Sequence, residues 1–175
     1  MSNLAAELDK TAEWLGWHFL PADGRLRYGD GRKPEVGVPL RCEGESILCE
    51  RGMHASRKAL DALSFAPGPI ICRVSLADGV IEGDDKAVGR ERTVIAMADA
   101  TAVLHEFAMW SAEQVLHLLD AKSAELYRKT FEIKRAWLKG EATQEQLAAA
   151  RAAAWDAQER ELTARLSALL GAGAA

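Results

Sequence analysis

The chain predicts an α+β protein. A small, mostly antiparallel sheet with short helices occupies about residues 1–97, and a C-terminal bundle of two or three helices follows over 98–171. Three observations lead there. All five prolines precede Ile70, and most of the glycines share that half, so it is rich in turns. Ile70–Leu76 places Ile70, Cys72, Val74 and Leu76 at alternate positions, the period of a half-buried strand. From Asp99 onward proline is absent and glycine nearly so, which suits long helices.

In chain order, Ser2 caps a helix over residues 2–16 with Leu4, Leu8, Ala12 and Leu15 on one face, and Gly16 ends it. Trp17–Leu20 reads as a short strand. Residues 21–39 are hairpin and loop material, with a strand at Arg25–Tyr28 and a turn at Gly29-Asp30-Gly31. Ser46–Glu50 is expected as a strand. Ser56 can cap a short helix carrying Ala59, Leu60 and Leu63, which Pro67-Gly68-Pro69 stops. Gly79–Glu82 and Arg92–Met97 are further strands. Asp99 caps a helix to about Leu119, and Ser123 caps a second to about Leu138. Thr143-x-x-Gln146 is a capping box for a third, ending near Gly171. Residues 172–175 are expected to be a disordered tail.

The net charge is −4 and the pI near 5.6, which argues against a nucleic-acid binder held by general electrostatics. Three cysteines (Cys42, Cys49, Cys72) form no paired spacing, as expected of reduced thiols. The N-terminus has no basic start leading into a long apolar run, and no stretch approaches a membrane span. The expectation is a cytoplasmic protein without membrane or direct nucleic-acid partners.

Cys49, Gly52, His54 and Ser56 bring a thiol, an imidazole and a hydroxyl around one glycine. Cys49 and His54 could ligate a metal, but zinc needs three or four protein ligands and no second cluster accompanies them. A Cys–His nucleophile pair would need a third, orienting group. The plainer reading is that Gly52 turns the chain while His54 is satisfied at the start of the helix. His105-Glu106 fails the metalloprotease pattern, because Met109 stands where the second histidine belongs. Gly29-Asp30-Gly31-Arg32-Lys33 lacks the spacing and ending of a phosphate loop. Glu82 with Asp84-Asp85-Lys86 reads as a solvated turn and not a calcium loop. On the last helix Trp155, Leu162 and Leu169 recur every seven residues with Leu166 between them. This stripe, together with Trp137, either fills the chain's own core or makes an interface.

Residues 49–94 resemble a family of small phage and prophage proteins of uncharacterised function. Its members show a Cys-x-x-Gly-Phe-His-Ala motif, a Leu-Asp pair in a short helix, a proline turn, a strand, and an Asp-x-Lys before another strand. Here these are Cys49-Glu50-Arg51-Gly52-Met53-His54-Ala55, Leu60-Asp61, Pro67, Ile71–Leu76 and Asp84-Asp85-Lys86. Met53 replaces the aromatic residue, and Ser56 stands where a second cysteine is common. The resemblance implies a mobile-element setting and a protein that binds a host protein complex stoichiometrically, CRISPR-type defence machinery included, without a cofactor.

The order Trp17-His18-Phe19, Gly52-Met53-His54-Ala55-Ser56, Ala59 and Ile70–Leu76 also resembles proteins of the ADP-ribosyltransferase type. That likeness implies NAD as the cofactor consumed. His18 would hold the nicotinamide ribose, Ser56 would support the NAD site, and Glu91 would be the late carboxylate. It further implies a concave pocket joining the three. Set against these, the leading expectation is a non-enzymatic binding protein whose helical tail meets a host complex or a second copy as a homodimer. A small metal-binding module at Cys49 and His54 comes third.

Overall fold

The computed structural model describes residues 14–171 and is α+β. Two antiparallel sheets come first. The larger has the order β1-β4-β7-β2, built from β1 (Trp14–Leu20), β2 (Pro39–Arg41), β4 (Ile70–Ala77) and β7 (Glu91–Asp99). The smaller has the order β3-β6-β5, from β3 (Met53–Ala55), β5 (Ile81–Glu82) and β6 (Ala87–Gly89). Helix α1 (Ala59–Ser64) lies between β3 and β4. The chain divides into two compact units at Thr101/Ala102. The second carries α2 (Thr101–Glu113, starting at the boundary), a 3-10 turn at Leu116–Leu118, α3 (Ala121–Leu138) and α4 (Gln144–Leu169).

The alternation in Ile70–Leu76 decides the core of the first unit. Cys72, Val74 and Leu76 are buried, and register sets them beside His18, Gly16 and Trp14 of β1. Across β4 on the other side they face Met97, Val94 and Arg92 of β7. That phase holds along β7 only because the register shifts at Arg73/Val74, leaving Ile95 as an extra residue. Met53, Ala55 and Ala87 of the smaller sheet pack into the same cluster, so the two sheets share one apolar layer. The sheet face is apolar except where His18 and Arg92 enter it.

Several local expectations change. Trp14–Gly16 is strand, not helix end, because it pairs with Val74–Leu76 and seats Trp14 in the core; the rest of the expected helix lies outside the described residues. Arg25–Tyr28 and Ser46–Glu50 are loops. In the first, Gly24, Tyr28, Gly29 and Gly31 all take positive φ, and in the second Cys49 does, which ends extended pairing. Ser56 does not cap α1. It bridges back to Trp17, and Lys58 precedes the helix without a side-chain cap. The first long helix stops at Glu113 and resumes as the 3-10 turn, which buries Leu116. Asp99 does accept the N–H of Thr101, at 2.7 Å. Asp120, not Ser123, caps α3: its carboxylate accepts the N–H groups of Lys122 and Ser123.

The Thr143/Gln146 capping box is present on α4. Leu147 and Ala154 are the buried residues of this helix, which packs against α3. Among the described residues no helix is long and apolar enough to cross a membrane.

Candidate functional site

A cavity of about 740 Å³ opens in the first unit, a volume in the range of small-molecule sites. His18, His54, Ser56 and Arg92 line it, with Cys49, Gly52, Phe65 and Lys86. Each arrives by a different element. His18 comes from the inward face of β1 and Arg92 from that of β7. His54 and Ser56 come from β3 and its exit, Cys49 and Gly52 from the loop before β3, and Phe65 and Lys86 from beyond α1 and before β6.

The Cys49–Ala55 motif is a clasp. The Nδ1 of His54 donates to the carbonyl of Gly52 at 3.1 Å, and its Nε2 accepts the N–H of Cys49 at 3.1 Å. Both ring nitrogens are thus spent on the loop, which fixes the neutral Nδ1–H tautomer. The clasp holds Cys49 in the left-handed region at φ 67°. Gly52 sits at φ 123°, and a Cβ there would stand 2.5 Å from Cγ2 of Val88. Burial lowers the pKa of His54, with Lys86 and Arg92 acting in the same direction and the Gly52 carbonyl against them. His54 is satisfied by this loop rather than by α1.

His18 makes no ring hydrogen bond to another described residue. Burial first, then the charge of Arg92, then His54, hold its pKa well below the ordinary value. Arg92 is 3% exposed. Its Nη1 donates to the carbonyl of His54 at 2.7 Å, tying β7 to β3, and no carboxylate among the described residues pairs with it. Burial lowers its pKa to about 10. Cys72, in register with His18, is a buried thiol whose pKa burial pushes up to about 11.

Glu91 is not in this cavity. It precedes Arg92 on β7 and so faces the other way, where it pairs with Arg41 across the β2–β7 register. His18 and Ser56 therefore share the cavity without the third member that the transferase likeness requires. Asp61 lies in the first turn of α1. Asp85 is exposed in the β5–β6 turn, while Lys86 places its ammonium 4.0 Å from the ring centroid of Phe65. Among the described residues no three His, Cys, Asp or Glu side chains converge as a metal site.

In the helical unit Trp137 is half-buried, edge-on to His105 and beneath Lys134. Trp155, Leu162, Leu166 and Leu169 are all exposed. Sequence reasoning passed over two features. Arg92 stands at a strand start in the sequence, and its phase with Val94 points it inward. Val103, Phe107 and Trp110 form a second exposed apolar row on α2, with the two rings stacked, and their spacing of four and three was a signal available in the sequence.

The fold is α+β, with two antiparallel sheets and a cavity lined by apolar side chains and a few cations and histidines. No protein-family model matches the chain, and neither a curated protein nor a solved structure does so.

Gly52→Ala is expected to destabilise the first unit by roughly 2–4 kcal/mol, through the left-handed backbone and the Val88 clash together. Chemical denaturation measures it, and a loss within about 0.5 kcal/mol would contradict the clasp geometry.

Stability should also depend on pH with a defined sign. His18 and His54 are less basic folded than unfolded. The unfolded chain therefore binds protons first, and stability is complete above about pH 6.5 and falls as the pH drops below it. The slope is at most about 1.4 kcal/mol per pH unit for each histidine. His18→Phe should flatten it in urea titrations between about pH 5 and 7.5, and an unchanged slope would contradict the burial of a neutral His18.

Proposed function

We propose that the protein acts by stoichiometric association with another protein, through the helical unit, and not by turnover. One observation carries this reading. Helix α4 seats Leu147 and Ala154 against α3, yet it leaves Trp155 69% exposed, Leu162 54%, Leu166 48% and Leu169 80%. A tryptophan and three leucines at spacings of seven, four and three form a continuous seam on one helix. Leaving such a seam in water forgoes about 1.5–3 kcal/mol per large apolar side chain that a partner could recover. Buried tryptophan anchors ringed by apolar neighbours are typical of the energetic centre of an interface. The exposed row on α2 extends the same unit's apolar surface.

The resemblance of residues 49–94 to phage and prophage proteins supports a host protein complex as the partner, with CRISPR-type defence machinery as one such target. A second copy of the chain, joined through the same seam, is the other occupant this geometry admits. The NAD-consuming alternative is favoured by one observation, that His18 and Ser56 line a common cavity. It lacks support for Glu91, which is ion-paired to Arg41 on the opposite face.

The test uses the full chain with Trp155, Leu162 and Leu166 all changed to serine. The variant is expected to keep its helical circular dichroism, because none of the three is buried. It should lose at least tenfold in affinity for the partner, whether in light-scattering measurements of self-association or in binding to a purified host complex. A folded variant that associates as the wild type does would remove α4 from the account. Turnover of NAD that His18→Phe abolishes would replace it with the enzyme reading.

A further inference from the structure

The cavity of the first unit has a charge problem that the α4 seam does not explain. Its lining includes five cations (Arg25, Arg27, Arg51, Lys86, Arg92) and two carboxylates (Asp30, Glu50). Asp30 is already held by Arg32, whose Nε and Nη2 each lie 2.7 Å from a carboxylate oxygen. Of the cations, Arg25 donates to the carbonyl of Gly31, Arg51 to that of Glu45, and Arg27 and Lys86 rest on Tyr28 and Phe65. Arg92 differs from them in being buried, and among the described residues one main-chain carbonyl answers just one of its five N–H donors. The charge of Asp30 acts on Arg92 without an ion pair between them, and a guanidinium taken out of water without a paired carboxylate is costly. Its planar fork matches a phosphate.

We propose that this cavity binds a phosphorylated small molecule of nucleotide size, with the guanidinium of Arg92 as the buried counter-charge of the phosphate. The volume fits such a molecule. The apolar lining offered by Phe65, Leu20, Met53 and Leu26 suits its uncharged body. His18 stands on the same sheet face with a neutral ring and no hydrogen-bond partner among the described residues, able to hydrogen-bond a hydroxyl of the ligand. Arg51 and Lys86 lie on the loop and turn that edge the cavity and add to its positive field. No covalent step is involved. The site belongs to the first unit and is independent of the α4 seam.

Calorimetric titration of the full chain with ADP, pyrophosphate and adenosine tests it. ADP and pyrophosphate are expected to bind and to compete with one another, and adenosine to bind at least tenfold more weakly than ADP. Arg92→Met should lose at least tenfold for both anions, Arg92→Lys should lose less, and adenosine binding should not change. Should Arg92→Met fail to fold, the Nε–H resonance of Arg92 in the wild-type protein decides, and it is expected to shift on adding either anion. The proposal is overturned if neither anion binds at millimolar concentration, or if adenosine binds as well as ADP. It is equally overturned if the anions bind while the Arg92 resonance stays in place.

Discussion

The bond from Arg92 to the carbonyl of His54 joins the two sheets at the point where both turn polar. Around it the inward faces of β1, β4 and β7 are apolar, with Cys72, Val74, Leu76 and Val94 almost wholly buried. Within that layer His18 and Arg92 admit polarity, and the smaller sheet meets it with the His54 clasp. The carbonyl that Arg92 uses belongs to the residue whose ring closes the Cys49–Gly52 loop, so loop, strand and core share one set of hydrogen bonds. Because Arg92 reaches β3 instead of a carboxylate, the sheets are tied together while the guanidinium keeps unmet donors toward the cavity. The same geometry lowers the pKa of His18 and His54, since each is desolvated beside a fixed positive charge.

Much of the fold was legible because the local signals agreed with the tertiary result. The alternation of Ile70–Leu76, the Thr143/Gln146 box and the loss of proline after Asp99 each report on structure within a few residues. The readings that changed involved partners distant in sequence. Trp14–Gly16 is fixed by β4, some sixty residues away, against a helical spacing that looked sound locally. Ser56 has the chemistry of a cap, but Trp17 claims its main chain.

The site was partly legible for the same reason. The Cys49–His54 motif is local, so its importance was visible while its role was not. Spacing cannot show that both nitrogens of His54 are spent on the loop. Glu91 and Arg92 are adjacent, and only the phase of β7 decides which one enters the cavity. The bulge at Ile95 blurs that phase in the sequence, because Arg92 and Val94 alternate one way while Ile95 and Met97 alternate the other. The exposure of Trp155 and its neighbours was undecidable from periodicity alone. A seven-residue repeat marks an apolar stripe, whereas the face that α3 occupies, through Leu147 and Ala154, settles which stripe is spent.

The two units thus present different surfaces, an apolar seam in one and a cation-lined chamber in the other. Arg92 faces the chamber without an ion-paired carboxylate among the described residues. A crystal structure of the full chain grown in sodium bromide, read by the anomalous signal of bromine, tests this directly. A bromide is expected in the cavity against the guanidinium of Arg92, with the His54 carbonyl still accepting from Nη1. A side-chain carboxylate in that place, or bromide confined to exposed cations such as Arg27, would contradict it.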